Sequence, residues 1–295
     1  MSDRAPRRSD RLRDLLPHGV VRRVQHQRAV AAKEAADAAR QQTRLERLRE
    51  AERTAAAGDA LAWDYEAAVS VLIDRGIDED EIRGGSMPEA SLQRCDASIR
   101  ELLGDGGPIR ALHVGNFLGV SLAAVTATVR AVDPGSVVVA VDPDVAHRGI
   151  EHPAAHAMAL LRSFGLDDAV LPITAYSLGR NLGNDGLDEH DHGVSPWQAM
   201  DESAASAQAL PRLADLAPGG FDLVLLDGNH DASYLSDELT VVARLLRPGG
   251  VLVLDDVDAG AWSDIQAVFD GLVADDGGPF RRVDADGRIG VALRA

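Results

Sequence analysis

The stretch Phe221–Val257, FDLVLLDGNHDASYLSDELTVVARLLRPGGVLVLDDV, decides the fold. LVLL and VLVL are continuous apolar runs, the pattern of parallel strands covered on both faces. Between them residues 233–246 read as a helix, and Arg247-Pro248-Gly249-Gly250 reads as a turn into the second strand. A helix linking two parallel strands of one sheet is a crossover unit. The first strand ends on Asp227 and the second on the pair Asp255-Asp256, with His230 close behind Asp227. If the strands are neighbours, their carboxyl ends lie about 5 Å apart, on the edge where open α/β sheets bind ligands. Acids gathered there repel one another unless a cation or a proton intervenes.

Working outward, strand and helix alternate regularly from Ile109 onward. Strands are expected at 109–114, 137–142, 169–173, 221–226 and 251–254, with helices at 118–131, 152–164, 203–216, 233–246 and 262–274. The tail FRRVDADGRIGVALRA reads as a hairpin around Asp284-Ala285-Asp286-Gly287. Five βα units closed by an antiparallel hairpin make a seven-stranded, doubly wound α/β sheet over residues 106–295. Ahead of it, residues 58–105 read as a small helical cap of two or three helices with a Gly84-Gly85 loop, and residues 1–57 as a basic helical arm. Residues 178–202 fit no regular element and are long for a connection, so they read as a functional loop.

Charge divides the chain. Residues 1–53 carry a net +6, leaving −23 on the remainder of a total of −17. So acidic a body repels phosphate backbones and excludes nucleic acid as the expected substrate. The arm suits packing on its own domain or on a second copy, as in a homo-oligomer; a membrane surface or another protein is the alternative. A single cysteine, Cys95, rules out an intramolecular disulfide and fits a reducing cytoplasm. No segment approaches the roughly 20 apolar residues of a transmembrane helix.

The first strand runs into Val114-Gly115-Asn116-Phe117-Leu118-Gly119-Val120-Ser121, and a helix follows. Glycines at Gly115 and Gly119 let the backbone turn sharply and a ligand approach closely. Their GxxxG spacing lacks the diphosphate cradle of dinucleotide enzymes. The second strand ends on Asp142, where a carboxylate can accept bonds from both ribose hydroxyls. A ribose acid without a diphosphate loop suits a nucleoside ligand such as S-adenosylmethionine.

VGNFLGVS, VVVAVDPD, FDLVLLDGNH and LLRPGGVLVLDD together resemble the class I S-adenosylmethionine-dependent methyltransferases, whose sheet is Rossmann-like. The DGNH-to-DD spacing resembles the bacterial macrocin-type and cephalosporin-tailoring O-methyltransferases. The resemblance covers about residues 105–295. It implies cofactor contacts by Gly115, Asn116, Gly119, Ser121, Asp142 and Asp227. It also implies Mg²⁺ held by Asp227 and Asp256, with Asp255 a third candidate, and His230 as general base. The implied acceptor is a hydroxyl of a small molecule, sugar or glycan. Asn229 departs from the acid common at its position and removes one charge from the set.

Each residue has a plainer alternative. Adjacent aspartates also cap turns, Asp227-Gly228 also ends a strand, and a histidine at a helix start also sits on a surface. His152 and His156 stand four apart on a predicted helix, a spacing that suits a metal pair or an exposed face. Glu189, His190, Asp191, His192, Trp197 and Tyr176 are further polar or aromatic candidates for substrate contact. Two other functions stay open: a metal-independent N- or C-methyltransferase of the same fold, and a non-catalytic nucleoside-binding scaffold.

Overall fold

The computed structural model describes residues 63–104, 106–178, 208–258, 263–274 and 278–295. Three helices precede the sheet: α1 (Tyr65–Asp74), α2 (Glu79–Gly85) and α3 (Glu89–Leu103). The alternating part follows as β1 (Arg110–Val114), α4 (Val120–Val132), β2 (Val137–Asp142), α5 (Pro153–Ser163) and β3 (Val170–Thr174). After α6 (Ala209–Leu216) come β4 (Phe221–Leu226), α7 (Ala232–Leu245), β5 (Leu246–Leu254) and α8 (Ser263–Ala274). The closing hairpin is β6 (Phe280–Asp286) and β7 (Ile289–Arg294).

The seven strands lie in the order β3-β2-β1-β4-β5-β7-β6. β1 to β5 pair in parallel, and β7 runs antiparallel to both β5 and β6. Strand order reverses direction at β1 and β4, the switch point at which open sheets leave a crevice. Alternate residues of the strands enter two apolar clusters. Leu223, Leu225, Val251 and Val253 pack with α1 to α5 on one face. Val224, Leu226, Leu252 and Leu254 pack with α6, α7 and α8 on the other. This two-sided burial is why those strands are apolar without alternation.

α1 to α3 share the first cluster with the sheet, through Leu72, Leu92, Cys95 and Ile99. Thr128 of α4 donates to Asp96 of α3 at 2.7 Å, and Arg100 holds the other Asp96 oxygen at 2.8 Å. Gly84 and Gly85, expected in a loop, form the end of α2, where Gly85 packs on the Phe117 ring.

Two further boundaries differ from expectation. β5 begins at Leu246, so the Arg-Pro-Gly-Gly segment belongs to the strand, with a register shift opposite Phe221 and Leu223. Irregular register is what tolerates a proline within a strand. The final hairpin turns later than expected: Asp286 pairs with Ile289, leaving Gly287-Arg288 as a two-residue turn. Gly287 has φ +62°, and a glycine first in a two-residue loop suits a turn whose twist matches the strands. That displacement places Arg288 over the carboxyl end of β5.

Candidate active site

Every non-glycine residue at positive φ among the described residues lies in a loop leaving the carboxyl end of the sheet. Phe117 follows β1, Asp144, Arg148 and His152 follow β2, and Asp256 follows β5. Left-handed backbone at ordinary residues persists only where surroundings over-determine it, and it gathers at functional sites.

At the cofactor end, Asp142 is held by backbone. One of its oxygens accepts from Asn116 N at 2.7 Å and Phe117 N at 3.2 Å, the other from Asp144 N at 2.8 Å. Burial pushes its carboxyl up, and these amides pull it back. Gly115, at φ +83°, lies against β4's exit: a Cβ there would stand 2.1 Å from the Asp227 carbonyl oxygen. Thus a glycine is required to let the cofactor loop and the acid loop touch. Gly119 begins α4 without a side-chain cap, and Ser121 is buried in the first turn. The Asn116 side-chain oxygen is buried and lacks a hydrogen-bond partner, a cost that a ligand donor would relieve. An uncapped helix start, an orphan acceptor and a carboxylate fit the polar parts of an aminoacyl nucleoside.

At the acid end three separate segments converge, the first of them supplying both Asp227 and His230. Asp227 follows β4, His230 stands just before α7, Asp255 and Asp256 follow β5, and Arg288 comes from the β6–β7 turn. His230 Nε2 lies 2.9 Å from Asp256 Oδ2, the ring 30% exposed and the carboxylate 3%. Asp227, His230 and Asp256 each offer one ligand atom within 4.8 Å of the others. Two such acceptor atoms in contact require a proton or a cation between them. Two carboxylates suit a hard divalent ion that keeps waters, so the residues fit Mg²⁺, with the imidazole beside it. Asp227 is held well above the usual carboxylate range by burial and by the neighbouring charge of Asp255.

Asp255 has a different partner. Arg288 grips it with two bonds, Nε to Oδ1 at 2.6 Å and Nη2 to Oδ2, and Arg288 Nε also lies 3.1 Å from Asp256 Oδ1. Asp255 therefore stands outside the three-residue group, and an internal cation meets part of the charge for which a metal was expected. Arg288 was missed in the sequence because the turn was expected earlier; the short Asp-Gly-Arg run before an apolar strand was the available signal.

A small cavity opens among the acids, lined by Asp227, His230 and Asp255 on one side and by Leu226, Leu254 and Glu238 on the other. Glu238 is buried, accepts from Ser177 Oγ, and is pushed up to about 8 by burial. Tyr234 Oη meets Ser177 Oγ at 3.0 Å and accepts from Leu178 N at 3.1 Å.

The remaining candidates fall elsewhere. His152 turns toward Asp144 and His156 toward Arg75, so the two rings serve different partners. Cys95 is buried, and its thiol is pushed up by that burial. Tyr176 bridges Gln208, while Glu189, His190, Asp191, His192, Trp197 and the basic arm lie outside the described residues. No helix among the described residues is long and apolar enough to cross a membrane.

Comparison with known proteins agrees with this geometry. Residues 112–257 match the family model described as a methyltransferase domain. No curated protein matches the chain. Among solved structures, the S-adenosylhomocysteine-bound methyltransferase PaMTH1 of Podospora anserina is 14% identical, with 86% of this chain and 96% of that one covered at a TM-score of 0.50. The O-methyltransferase TomG of Streptomyces achromogenes, solved with S-adenosylmethionine, is 17% identical over 80% of this chain and 91% of its own, at 0.48. An O-methyltransferase of Bacillus cereus in complex with S-adenosylhomocysteine is 16% identical over 78% and 90%, also at 0.48. The matched segment holds both ends of the site apart from Arg288, and the chain belongs to the class I S-adenosylmethionine-dependent methyltransferases.

Proposed function

We propose that the enzyme is an O-methyltransferase of a small molecule bearing vicinal hydroxyls, such as a sugar or a diphenol, with a divalent cation at Asp227 and Asp256. The observation that carries this reading is the contact of His230 with Asp256 beside Asp227, next to the Gly115 loop.

Bound S-adenosylmethionine supplies the electrophilic methyl, and a bound Mg²⁺ lowers the acceptor hydroxyl's pKa and fixes its direction. The rest falls to the chain. Gly115, Asn116, Gly119, Ser121 and Asp142 hold the nucleoside and aminoacyl ends, so the methyl is presented at the β1–β4 crevice. Asp256 stands 2.9 Å from His230 Nε2, which leaves Nδ1 as the atom that takes the hydroxyl proton. Leu226, Leu235, Leu254 and Ile265 back the site with apolar surface, which strengthens every charge interaction in front of it.

Calorimetric titration with S-adenosylhomocysteine, with and without Mg²⁺, tests cofactor and cation together. Binding of the nucleoside is expected in both, with a separate Mg²⁺ isotherm that Asp227→Asn removes. Acceptors can then be sought by screening diols and sugars for S-adenosylhomocysteine release. His230→Ala should lower that turnover by about 100-fold or more and leave nucleoside affinity nearly unchanged. Undiminished turnover in the variant refutes the base assignment.

One observation favours a second reading. Arg288 already compensates Asp255 and part of Asp256, so a proton alone can sit between Asp256 and His230. The dyad would then work without a metal. Activity that survives exhaustive EDTA treatment selects this reading; loss of activity restored by Mg²⁺ selects the first.

A further inference from the structure

The carboxylate of Asp256 is a bridge. Its Oδ1 faces Arg288 Nε at 3.1 Å and its Oδ2 faces His230 Nε2 at 2.9 Å. Asp256 stands at φ +58°, a strained backbone that needs an external hold. Arg288 supplies one twice over, since Val257 N also donates to the Arg288 carbonyl at 2.8 Å. The guanidinium is 11% exposed and is anchored by its paired bonds to Asp255, which is 1% exposed. The Nε–H is already given to Asp255, so the 3.1 Å contact with Asp256 is an ion pair along the edge of a guanidinium whose plane the two Asp255 bonds fix.

We propose that Arg288 is the positioning residue of the site: anchored on Asp255, it fixes Asp256 so that one oxygen stays on the His230 ring and the ring keeps one orientation. Asp255 is then an anchor for Arg288, not a ligand. The inference deepens the reading of His230 as the base and rests on it for its catalytic consequence, though the orienting chain itself is geometric. It also gives the β6–β7 hairpin a task in the chemistry, through a turn remote in sequence from the matched methyltransferase segment.

The test uses full-length protein labelled with ¹⁵N-histidine, with the His230 ring signals assigned by their loss in His230→Asn. Wild type should show one tautomer at His230. In Arg288→Ala that signature should give way to mixed tautomers, and millimolar methylguanidine should restore it by refilling the vacated space. Arg288→Lys keeps the charge and serves where the alanine variant fails to fold; it should also lose the single tautomer. On any acceptor found by screening, both variants should lose about 100-fold in kcat, the scale of a catalytic group misplaced by an ångström. The affinity for S-adenosylhomocysteine should stay within about twofold of wild type, because the cofactor end is untouched.

An unmoved His230 signature in a folded Arg288 variant overturns the proposal. So does a signature that changes but does not return with methylguanidine while Arg288→Lys behaves as wild type. The two failures are separable. If only the Arg288 inference is wrong, His230→Ala still loses turnover while the ring signals ignore Arg288. If the base reading is wrong, His230→Ala keeps turnover although the ring signals respond.

Discussion

The two ends of the crevice are built by opposite means. At the cofactor end, Asp142 is held by three backbone amides from its own turn and the neighbouring loop. At the acid end, Asp256 is held by side chains, His230 from the start of α7 and Arg288 from the last hairpin. A backbone-held group is fixed wherever the loop folds. A side-chain-held group depends on segments far apart in sequence arriving together, and each can be altered separately.

The largest effect is expected where the two ends touch. Gly115→Ala would place a methyl against the Asp227 carbonyl at a positive φ, so the loop, the acid strand or both must shift. A stability loss of about 3 kcal/mol or more is expected from strain and overpacking together. Urea unfolding measures it, and calorimetry with S-adenosylhomocysteine should show binding lost as well. Normal stability and affinity would mean that the two ends are not in contact, and the comparison would collapse into two independent sites.

Next comes a change confined to one end. Asp256→Asn keeps the shape and removes the charge, leaving Arg288 on Asp255. Divalent cation affinity, read with Mn²⁺ by electron paramagnetic resonance, should fall at least about tenfold. Nucleoside affinity should hold within about twofold, as no cofactor-end group is disturbed. A parallel loss of both affinities would show the ends to be energetically one site.

The same contrast explains what the sequence disclosed. The strands of the sheet and the acids at their ends were legible because two-sided burial writes itself as runs such as LVLL and VLVL, and an acid just after such a run sits on the binding edge. The turn between β1 and α4 was legible because its requirements are backbone requirements, and backbone demands appear locally as glycines. Arg288 was not. Its partner Asp255 is 33 residues away, and the register of a hairpin with charged residues on both sides of its turn is weakly specified by pattern alone. The Gly85 contact with Phe117 was hidden for a related reason, since a helix end that packs on a loop looks in sequence like any other glycine pair. Nor could pattern reveal that Asp255 and Asp256, adjacent and identical, would divide their labour: only the third dimension pairs one of them with Arg288 and sets the other between Arg288 and His230.

The smallest effect on the site is expected beneath it, at Glu238. Its carboxyl is buried, bonded to Ser177, and pushed up to about 8 by burial, so it is neutral in the fold at pH 7 while an unfolded chain ionises it near pH 4 to 5. Between those values the folded protein binds the proton and the unfolded one does not. The neutral carboxyl's contribution is therefore complete below the unfolded pKa and is lost as pH rises through the folded one. Glu238→Gln keeps an acceptor for Ser177 and abolishes the titration. Its melting temperature should match wild type near pH 4 and exceed it increasingly up to about pH 8, by a margin on the order of 4 kcal/mol in stability. Cation and nucleoside affinities should not move, because Glu238 supplies neither. Parallel melting curves across that range would show Glu238 ionised within the fold, and the cavity floor would then carry a charge facing Asp227. In that case the acid end would hold one more uncompensated anion than Arg288 can answer, and the case for a resident cation would be stronger than the case for a proton.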